Sequence, residues 1–272
     1  MVNPILKWAG GKRQLLEEIL DVFPSDYDER VFHEPMIGGG AITFNINPKK
    51  GSINDINSKL INFYKIVKNY PQELIEENKS HKNNEEYYYN FRNKFNKSIM
   101  NDNMNKIRKA SLFLYFNRTC YNGLWRENSE GLFNVPFGEY SNPNFVKKEN
   151  IQKVSKILQN LEIYNKDFEY ILNVVEEDDL VYFDPPYLPI SDTEDFTKYS
   201  KDGFTWEDHK RLKEICKKLD DKGVLFVLSN SYTKPIIELY NDFNINEVKA
   251  KRAINSDGEN RGEVSEILVT NY

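Results

Sequence analysis

The strongest indication of the fold is the segment Leu180-Val181-Tyr182-Phe183-Asp184-Pro185-Pro186-Tyr187. Its first four residues are apolar and favour a strand, and the two prolines fix the backbone after it. An Asp that directly follows a buried strand lies at the carboxyl end of a parallel sheet, where such folds bind their ligands. The stretch therefore predicts an α/β fold with a functional carboxylate at Asp184.

The residues after this strand suit a flat base that carries an amino group. Pro186 leaves no N–H to satisfy, and the carbonyl of Pro185 is a rigid acceptor beside the Asp184 carboxylate. The two acceptors match the two hydrogens of an –NH2 group, and the Tyr187 ring can stack on the base. A surface turn with Asp and Pro in their usual roles is the alternative, and the preceding strand favours function. Asp184, Pro185, Pro186 and Tyr187 are thus the predicted catalytic residues.

Strands and helices alternate on both sides of this stretch. We predict strands at 30–34, 51–55, 162–165, 180–184, 223–230 and 264–271, and helices at 13–23, from about 41, at 57–68 and at 205–219. Residues 223–230 are a continuous apolar run, as in a strand buried on both faces. Thr205 and Asp208 resemble a capping box at a helix start. This order predicts a largely parallel, helix-covered sheet.

The middle of the chain has a different composition. Residues 72–116 are rich in Asn, Lys, Glu and Tyr and predict two polar helices, and the glycines and prolines of 117–146 predict loop and hairpin. Residues 57–156 carry a charge balance of +7, whereas the rest of the chain carries −12. A basic module on an acidic body suggests a polyanionic partner for the module. Chance patchiness of a solvated surface explains the charges equally well.

Length and composition argue against several classes of protein. The chain has 272 residues, and its apolar runs are too short for a membrane span or a signal peptide. Cys120 and Cys216 are its two cysteines, which excludes a disulfide framework or a four-cysteine zinc site and fits a cytoplasmic location. His33, His81 and His209 are expected to be surface or packing residues, and no metal is expected.

A second candidate site lies at residues 34–40, Glu-Pro-Met-Ile-Gly-Gly-Gly, again at a strand end. Glycines let a ligand approach the backbone closely, and a helix that begins after them presents free N–H groups. Asp55 follows about 15 residues later, where an acidic residue can hold ribose hydroxyls. A tight turn between strand and helix is the alternative for the glycines alone.

Two further segments contain residue types that bind ligands or bases. Residues 7–12, Lys-Trp-Ala-Gly-Gly-Lys, could contact a carboxylate and a sulfonium, although an ordinary loop is the simpler interpretation. Residues 117–126 and 133–138 combine Asn, Arg and exposed aromatic residues in a glycine hairpin, as in proteins that read base edges. A decorated surface loop is the alternative.

Together these segments resemble the DNA adenine methylase (Dam) family, in particular its GATC-specific modification methylases. The resemblance runs essentially from end to end, with the motifs in the family's order. It is carried by KWAGGK (7–12), EPMIGGG (34–40), NDIN (54–57), YNGLWR (121–126), FNVPFG (133–138), YFDPPY (182–187), FTWEDHKRL (204–212) and LSNS (228–231).

The resemblance implies a methyltransferase that uses S-adenosylmethionine and acts on adenine N6 in double-stranded DNA, at GATC. It implies a Rossmann-like catalytic domain at 1–56 and 161–272, with an inserted helical and β-hairpin target-recognition domain at 57–160. The implied cofactor-binding residues are Trp8, Lys12, Glu34, Pro35, Gly38, Gly40, Asp55, Asp167, Phe168 and Asp184. The implied DNA-binding residues are Lys7, Arg118, Tyr121, Asn122, Leu124, Arg126, Asn134, Pro136 and Tyr140.

Two positions depart from the family pattern. Met36 stands where relatives usually have Phe, which softens the expected aromatic wall of the cofactor pocket. Glu139 stands where they usually have Arg, which removes an expected phosphate contact. Alternatives to the expected function are methylation of cytosine N4 or of RNA, and a catalytically silent sensor of DNA or of an adenosyl ligand. The enzyme could act alone or with a restriction endonuclease for the same site.

Overall fold

The computed structural model describes residues 2–188, 203–251 and 263–272. The chain divides into two compact units. The first unit comprises Met1–Gly11, Gly38–Asn47 and Asp55–Asn165, and the second comprises Lys12–Ile37, Pro48–Asn54 and Lys166–Tyr272.

The described residues form strands and helices in alternation. The strands are β1 Phe32–Glu34, β2 Gly51–Asn54, β3 Leu161–Tyr164, β4 Leu180–Phe183, β5 Leu225–Ser231, β6 Asn244–Lys251 and β7 Glu263–Thr270. The helices are α1 Leu16–Asp21, α2 Thr43–Ile46, α3 Ser58–Asn69, α4 Pro71–Lys79, α5 Glu85–Asn101, α6 Lys106–Thr119, α7 Lys148–Leu158, α8 Trp206–Asp221 and α9 Lys234–Leu239. Short 3-10 turns span Lys12–Gln14, Tyr121–Gly123 and Phe168–Asn173.

The sheet of the second unit is mainly parallel, as predicted. Its strands follow one another in the order β2-β1-β4-β5-β7-β6. β1 pairs in parallel with β2 and β4, and β4 pairs in parallel with β5. β7 runs antiparallel to β5 and β6. The strand β6 was not predicted from the sequence.

The central strands of this sheet are buried on both faces. All four residues of β4 are buried, and six of the seven residues of β5 are buried, as expected for strands covered on both faces. The buried His33 on β1 contacts Ser52 through Nδ1 (2.7 Å) and Asp179 through Nε2 (3.1 Å), so its polar atoms are satisfied inside the sheet. His81 and His209 are buried as well.

The start of α8 confirms the predicted capping box. The Asp208 N–H donates to the Thr205 hydroxyl (3.2 Å), and the Asp208 carboxylate accepts from the Thr205 backbone N–H (2.8 Å). Two orphan donors of the helix end are thereby satisfied. The helix predicted at 13–23 is shorter in the structure, a 3-10 turn followed by α1.

The prediction of two polar helices over residues 72–116 was wrong. Three helices, α4, α5 and α6, cover this part of the chain, and residues 110–117 of α6 are all buried. Their core is largely aromatic. It comprises Tyr88, Phe95, Leu112, Tyr115, Phe116, Cys120, Phe133 and Val135. The many Asn and Lys residues of this region lie around an aromatic core that the composition concealed.

From residue 120 to 146 the chain is loop and hairpin, as predicted, whereas residues 117–119 belong to the end of α6. Isolated antiparallel bridges join Cys120 to Phe137 and Glu127 to Phe133. Helix α7, which follows, was missed, although its buried residues Ile151, Val154, Ile157 and Leu158 have helical spacing. The first unit contains residues 57–160 together with two earlier segments, and a DNA-recognition role for 57–160 remains a prediction.

No helix in the described ranges is long and apolar enough to cross a membrane.

Candidate active site

Asp184 lies directly after β4, as the sequence predicted, and two side chains hold its carboxylate. The Lys12 ammonium is 2.8 Å from Oδ1, and the Ser229 hydroxyl of β5 donates to the same oxygen (3.0 Å). The Lys12 side chain is 7% exposed and that of Asp184 is 21% exposed. Because both contacts use Oδ1, the second oxygen remains able to accept a hydrogen bond from a ligand.

Tyr187 makes a hydrogen bond through its hydroxyl and a cation–π contact through its ring. Its hydroxyl donates to Glu266 Oε2 on β7 (2.6 Å), and the Lys12 ammonium lies 4.3 Å from the ring centroid. Burial, together with the negative charges of Asp184 and Glu266, raises the pKa of Tyr187 well above its ordinary value. The phenol therefore stays protonated at neutral pH and acts as a hydrogen-bond donor.

The two prolines between these residues differ in exposure, since Pro185 is buried and Pro186 is exposed. Tyr182, the third residue of β4, is buried, and its hydroxyl lies 3.0 Å from the Ser229 hydroxyl. Ser229 is thus in contact with both the strand and the Asp184 carboxylate that follows it. Sequence reasoning missed Ser229 and Glu266 as site residues, although Ser229 lies in the LSNS motif at 228–231.

Glu34 ends β1 in the second unit and Pro35 follows it, and both are buried. The Pro35 carbonyl accepts a hydrogen bond from the Asn54 amide (2.9 Å), which also donates to the Lys166 carbonyl (3.0 Å). Asn54 thereby joins the end of β1 to the segment after β3. This backbone is fixed by internal bonds, which favours a preformed site.

The glycines that follow are required by their surroundings in the first unit. Gly38 has a φ of +47°, and a Cβ there would lie 2.9 Å from the Trp8 ring. Gly40 has a φ of +71°, and a Cβ there would lie 2.2 Å from the Phe44 ring. Both positions combine a left-handed backbone with a close aromatic neighbour, so glycine is the residue that fits. The half-buried Trp8 ring therefore packs against this glycine turn.

Asp55 is anchored to the same turn. Its Oδ2 accepts from the Gly38 N–H (3.1 Å), and its Oδ1 accepts from the Asn57 N–H (2.9 Å). Each oxygen keeps a second lone pair, so the carboxylate can accept two more hydrogen bonds. Burial raises the pKa of Asp55 above the ordinary 3.8, and the two N–H groups oppose this shift.

Asp167 and Phe168 have structural partners in the second unit. Asp167 accepts from the Glu169 N–H (2.9 Å) at the start of the 3-10 turn and pairs with Arg211 (2.8 Å). The Phe168 ring is buried, with the Arg211 guanidinium 4.4 Å from its centroid. These contacts explain the local fold, and a cofactor role for both residues remains a prediction.

The predicted DNA-binding residues of the first unit fall into two groups. Tyr121, Asn122 and Leu124 are exposed on the turn after α6, where Asn122 has a φ of +55°. Arg126 is exposed and donates from Nε to Asn134 Oδ1 (2.9 Å). This bond leaves the two Nη groups of Arg126 for a ligand. Exposed side chains on a well-defined turn are suited to contact a partner.

The second group is tied to the N-terminal segment. The Lys7 backbone exchanges hydrogen bonds with the Asn117 side chain, donating its N–H (2.8 Å) and accepting at its carbonyl (2.7 Å). The Lys7 ammonium lies 4.7 Å from the Tyr140 ring centroid. Arg118 donates to the Ile5 carbonyl, and burial lowers its pKa to about 10. Arg118 is therefore partly buried against the N-terminal segment.

The expectation of exposed aromatic residues in the hairpin is confirmed for Tyr121 and wrong for Trp125 and Phe133. Trp125 stacks on the buried Phe133 with ring centroids 4.5 Å apart. The Trp125 indole N–H donates to Glu127 (2.7 Å), and Glu127 pairs with Lys59 (2.7 Å). Trp125 is therefore a packing residue, and its neighbours in the chain, Leu124 and Arg126, are exposed.

Among the described residues, no group of three or more His, Cys, Asp or Glu side chains is arranged to hold a metal ion.

Comparison with known proteins places these features in a family. The D12 class N6 adenine-specific DNA methyltransferase family matches residues 8–254. A type II methyltransferase, M1.LlaDCHI of Lactococcus lactis subsp. cremoris, is 44% identical, with 100% of this chain and 96% of the relative covered. The type II methyltransferase M.MjaIII of Methanocaldococcus jannaschii is 41% identical, with 100% and 99% covered. The DNA adenine methylase of Escherichia coli K12 is 38% identical, with 97% and 93% covered.

The matched region contains the Asp184–Tyr187 segment, the glycine turn and Asp55 in one span. The expectation of an adenine-specific enzyme is confirmed, and the cytosine N4 alternative is set aside. The chain belongs to the D12 class of N6 adenine-specific DNA methyltransferases.

Proposed function

We propose that this methyltransferase transfers the methyl group of S-adenosylmethionine to adenine N6 at GATC in double-stranded DNA. The observation that carries the proposal is the Asp184 carboxylate at the end of β4, held at one oxygen by Lys12 and Ser229. Its other oxygen and the Pro185 carbonyl are two acceptors for one amino group. The Tyr187 ring beside them provides an aromatic surface for the base.

The proposed reaction begins with the adenine outside the duplex, since its amino group is not reachable in line within the base stack. Asp184 and the Pro185 carbonyl accept the two N6 hydrogens. These bonds draw the nitrogen toward tetrahedral geometry and localise its lone pair. The N6 lone pair then forms the new bond to carbon, and Asp184 is the base placed to accept the released proton.

S-adenosylmethionine supplies an electrophilic methyl group on a sulfonium, and the electrons of the broken carbon–sulfur bond remain on sulfur. In this proposal the protein's contribution is orientation and electrostatics, without a covalent intermediate on the enzyme. Lys12 and Ser229 fix the Asp184 carboxylate before the base arrives. A preorganised acceptor needs little rearrangement when the amine binds.

For the donor we propose that the ribose hydroxyls bind Asp55. Both Asp55 oxygens have an unused lone pair after their bonds to Gly38 and Asn57. The glycine turn and the half-buried Trp8 ring would lie against the donor, where side chains on Gly38 or Gly40 do not fit. The other cofactor-binding residues, Lys12, Glu34, Pro35, Asp167, Phe168 and Asp184, remain predictions.

For DNA we propose that residues 57–160 recognise the target, with Arg126 reading a guanine of the outer G·C pairs. The support is the exposed side chain of Arg126 and the basic charge of the region. Arg is the residue best suited to donate hydrogen bonds to guanine O6 and N7 at the same time. Lys7, Arg118, Tyr121, Asn122, Leu124, Asn134, Pro136 and Tyr140 are the other proposed contacts. Glu139, exposed where relatives usually have Arg, would weaken a phosphate contact.

We further propose a cytoplasmic enzyme that acts alone or beside a restriction endonuclease for the same site. Expression in a methylation-deficient host, followed by genome-wide mapping of modified adenine, tests the GATC assignment. Modification confined to GATC supports it, and modification at another sequence refutes it. RNA from the same cells, without modified adenine above background, would separate DNA from RNA as the substrate.

A further inference from the structure

A short chain of contacts fixes the ring of Tyr187 from outside the Asp184–Tyr187 motif. The Tyr187 hydroxyl donates to Glu266 Oε2 at 2.6 Å, which is in the range of the short, strong hydrogen bonds that phenols make to carboxylates. We propose that Glu266 is a positioning residue for the target base, which sets the ring plane on which the adenine stacks. The inference rests on the proposed stacking role of Tyr187.

The register of the sheet places Glu266 for this task. Glu266 on β7 lies directly opposite Ser231 on β5. Opposite residues of an antiparallel pair project from the same face of a sheet. The Ser231 hydroxyl donates to the Leu188 carbonyl (3.0 Å), while Glu266 accepts from Tyr187. The cross-strand pair Ser231 and Glu266 thus makes hydrogen bonds to two consecutive residues, Leu188 and Tyr187.

The ring would be poorly defined without this bond. The χ2 torsion of a tyrosine has a broad minimum, so packing alone leaves some freedom in the ring plane. The Lys12 ammonium occupies one face of the ring, 4.3 Å from its centroid. A stacked base would therefore use the other face, and a small rotation about χ2 would tilt that face away from the base. The phenol O–H prefers to lie in the plane of the ring, so its hydrogen bond to the Glu266 carboxylate favours one ring plane, and it also restrains the swing of the ring about χ1.

The charge of Glu266 also keeps the phenol a donor. Burial is the largest cause of the raised pKa of Tyr187, and Glu266 adds to it. The neutral phenol must then direct its one proton to an acceptor, and Glu266 provides it. Loss of the acceptor would leave a buried hydroxyl without its partner, which favours a reoriented ring.

The test compares Glu266→Ala, Glu266→Gln and Tyr187→Phe in a single-turnover methylation assay at saturating DNA and S-adenosylmethionine. Glu266→Ala and Tyr187→Phe are each expected to slow methyl transfer about tenfold, the effect of one lost hydrogen bond to a charged group. The double variant is expected to be no slower than either single variant, because both remove the same bond. Glu266→Gln retains an acceptor and is expected to recover most of the rate.

A second measurement separates positioning from stability. A GATC duplex with 2-aminopurine at the target base reports base flipping and stacking by its fluorescence. Glu266→Ala is expected to alter the emission of the bound duplex while the KM for S-adenosylmethionine is unchanged. The matched control is Glu247→Ala, which removes another carboxylate of the β6–β7 pair that accepts from Ser265 (2.6 Å). It is expected to match the wild-type protein in rate and emission.

Two results would overturn the proposal. One is a Glu266→Ala rate within about twofold of wild type, and the other is a double variant in which the two effects multiply. Tyr187→Ala distinguishes this failure from failure of the proposed stacking. If Tyr187→Ala methylates normally, the stacking role itself is wrong, whereas an impaired Tyr187→Ala beside a normal Glu266→Ala refutes only the role of Glu266.

Discussion

Replacing Asp55 with Asn changes the proposed donor site at one atom. In the wild-type protein both carboxylate oxygens accept a backbone N–H, from Gly38 at 3.1 Å and from Asn57 at 2.9 Å. An Asn side chain has one acceptor oxygen and one NH2 group, so one of the two backbone donors loses its partner. The same substitution removes one of the two acceptors for the ribose hydroxyls.

The expected loss of S-adenosylmethionine affinity is about 1.5–3 kcal/mol, or about 10-fold to 150-fold in Kd. Affinity for DNA is expected to change much less. Titration calorimetry with the donor and fluorescence anisotropy with a GATC duplex measure the two quantities. Asp102→Asn is the matched control, because Asp102 is an exposed carboxylate in a left-handed conformation that Asn also adopts.

The pH dependence of donor binding gives an independent check. Burial raises the pKa of Asp55 in the free protein above 3.8, and the hydroxyls of the donor would bind its ionised form. Affinity should therefore be constant above that raised pKa and fall as the pH drops through it. In Asp55→Asn this fall should be absent. Unchanged donor affinity in Asp55→Asn at neutral pH would refute the ribose role.

Two further predictions concern the hairpin and the glycine turn. Arg126→Ala is expected to lose about 1–3 kcal/mol of discrimination at one base position, measured as kcat/KM on GATC and singly substituted duplexes. Equal loss on every duplex, with a flatter salt dependence, would show instead that Arg126 contacts phosphate. Gly40→Ala is expected to unfold at a lower temperature, because its Cβ would lie 2.2 Å from the Phe44 ring at a φ of +71°. An unchanged Tm would show that the turn can rearrange.

The sequence predicted the parts of the fold that depend on local patterns. The apolar run of β4 and the prolines after it predicted a strand that ends at Asp184, and the run at 223–230 predicted β5. Local signals also predicted the capping box at Thr205. Each of these features depends on residues close together in the chain, so a single sequence is sufficient to predict them.

The contacts that hold the site could not be predicted in the same way. Ser229 contacts Asp184, and Glu266 contacts Tyr187, only because of the pairing of β4 with β5 and of β5 with β7. That register depends on the whole sheet. The aromatic core around Tyr88 and Phe116 was missed for another reason, since Asn and Lys residues between the aromatic positions lowered the apparent hydrophobicity of the helices.

In the proposed mechanism, Asp184 orients the adenine amino group for methyl transfer. The most direct test incubates wild-type protein and Asp184→Ala with labelled S-adenosylmethionine and a GATC duplex, then identifies the methylated nucleoside by mass spectrometry. The wild-type protein is expected to produce N6-methyladenine at GATC. Asp184→Ala is expected to produce none above background at saturating donor, while its circular dichroism remains that of the folded protein. Turnover by Asp184→Ala near the wild-type rate would refute this role of Asp184.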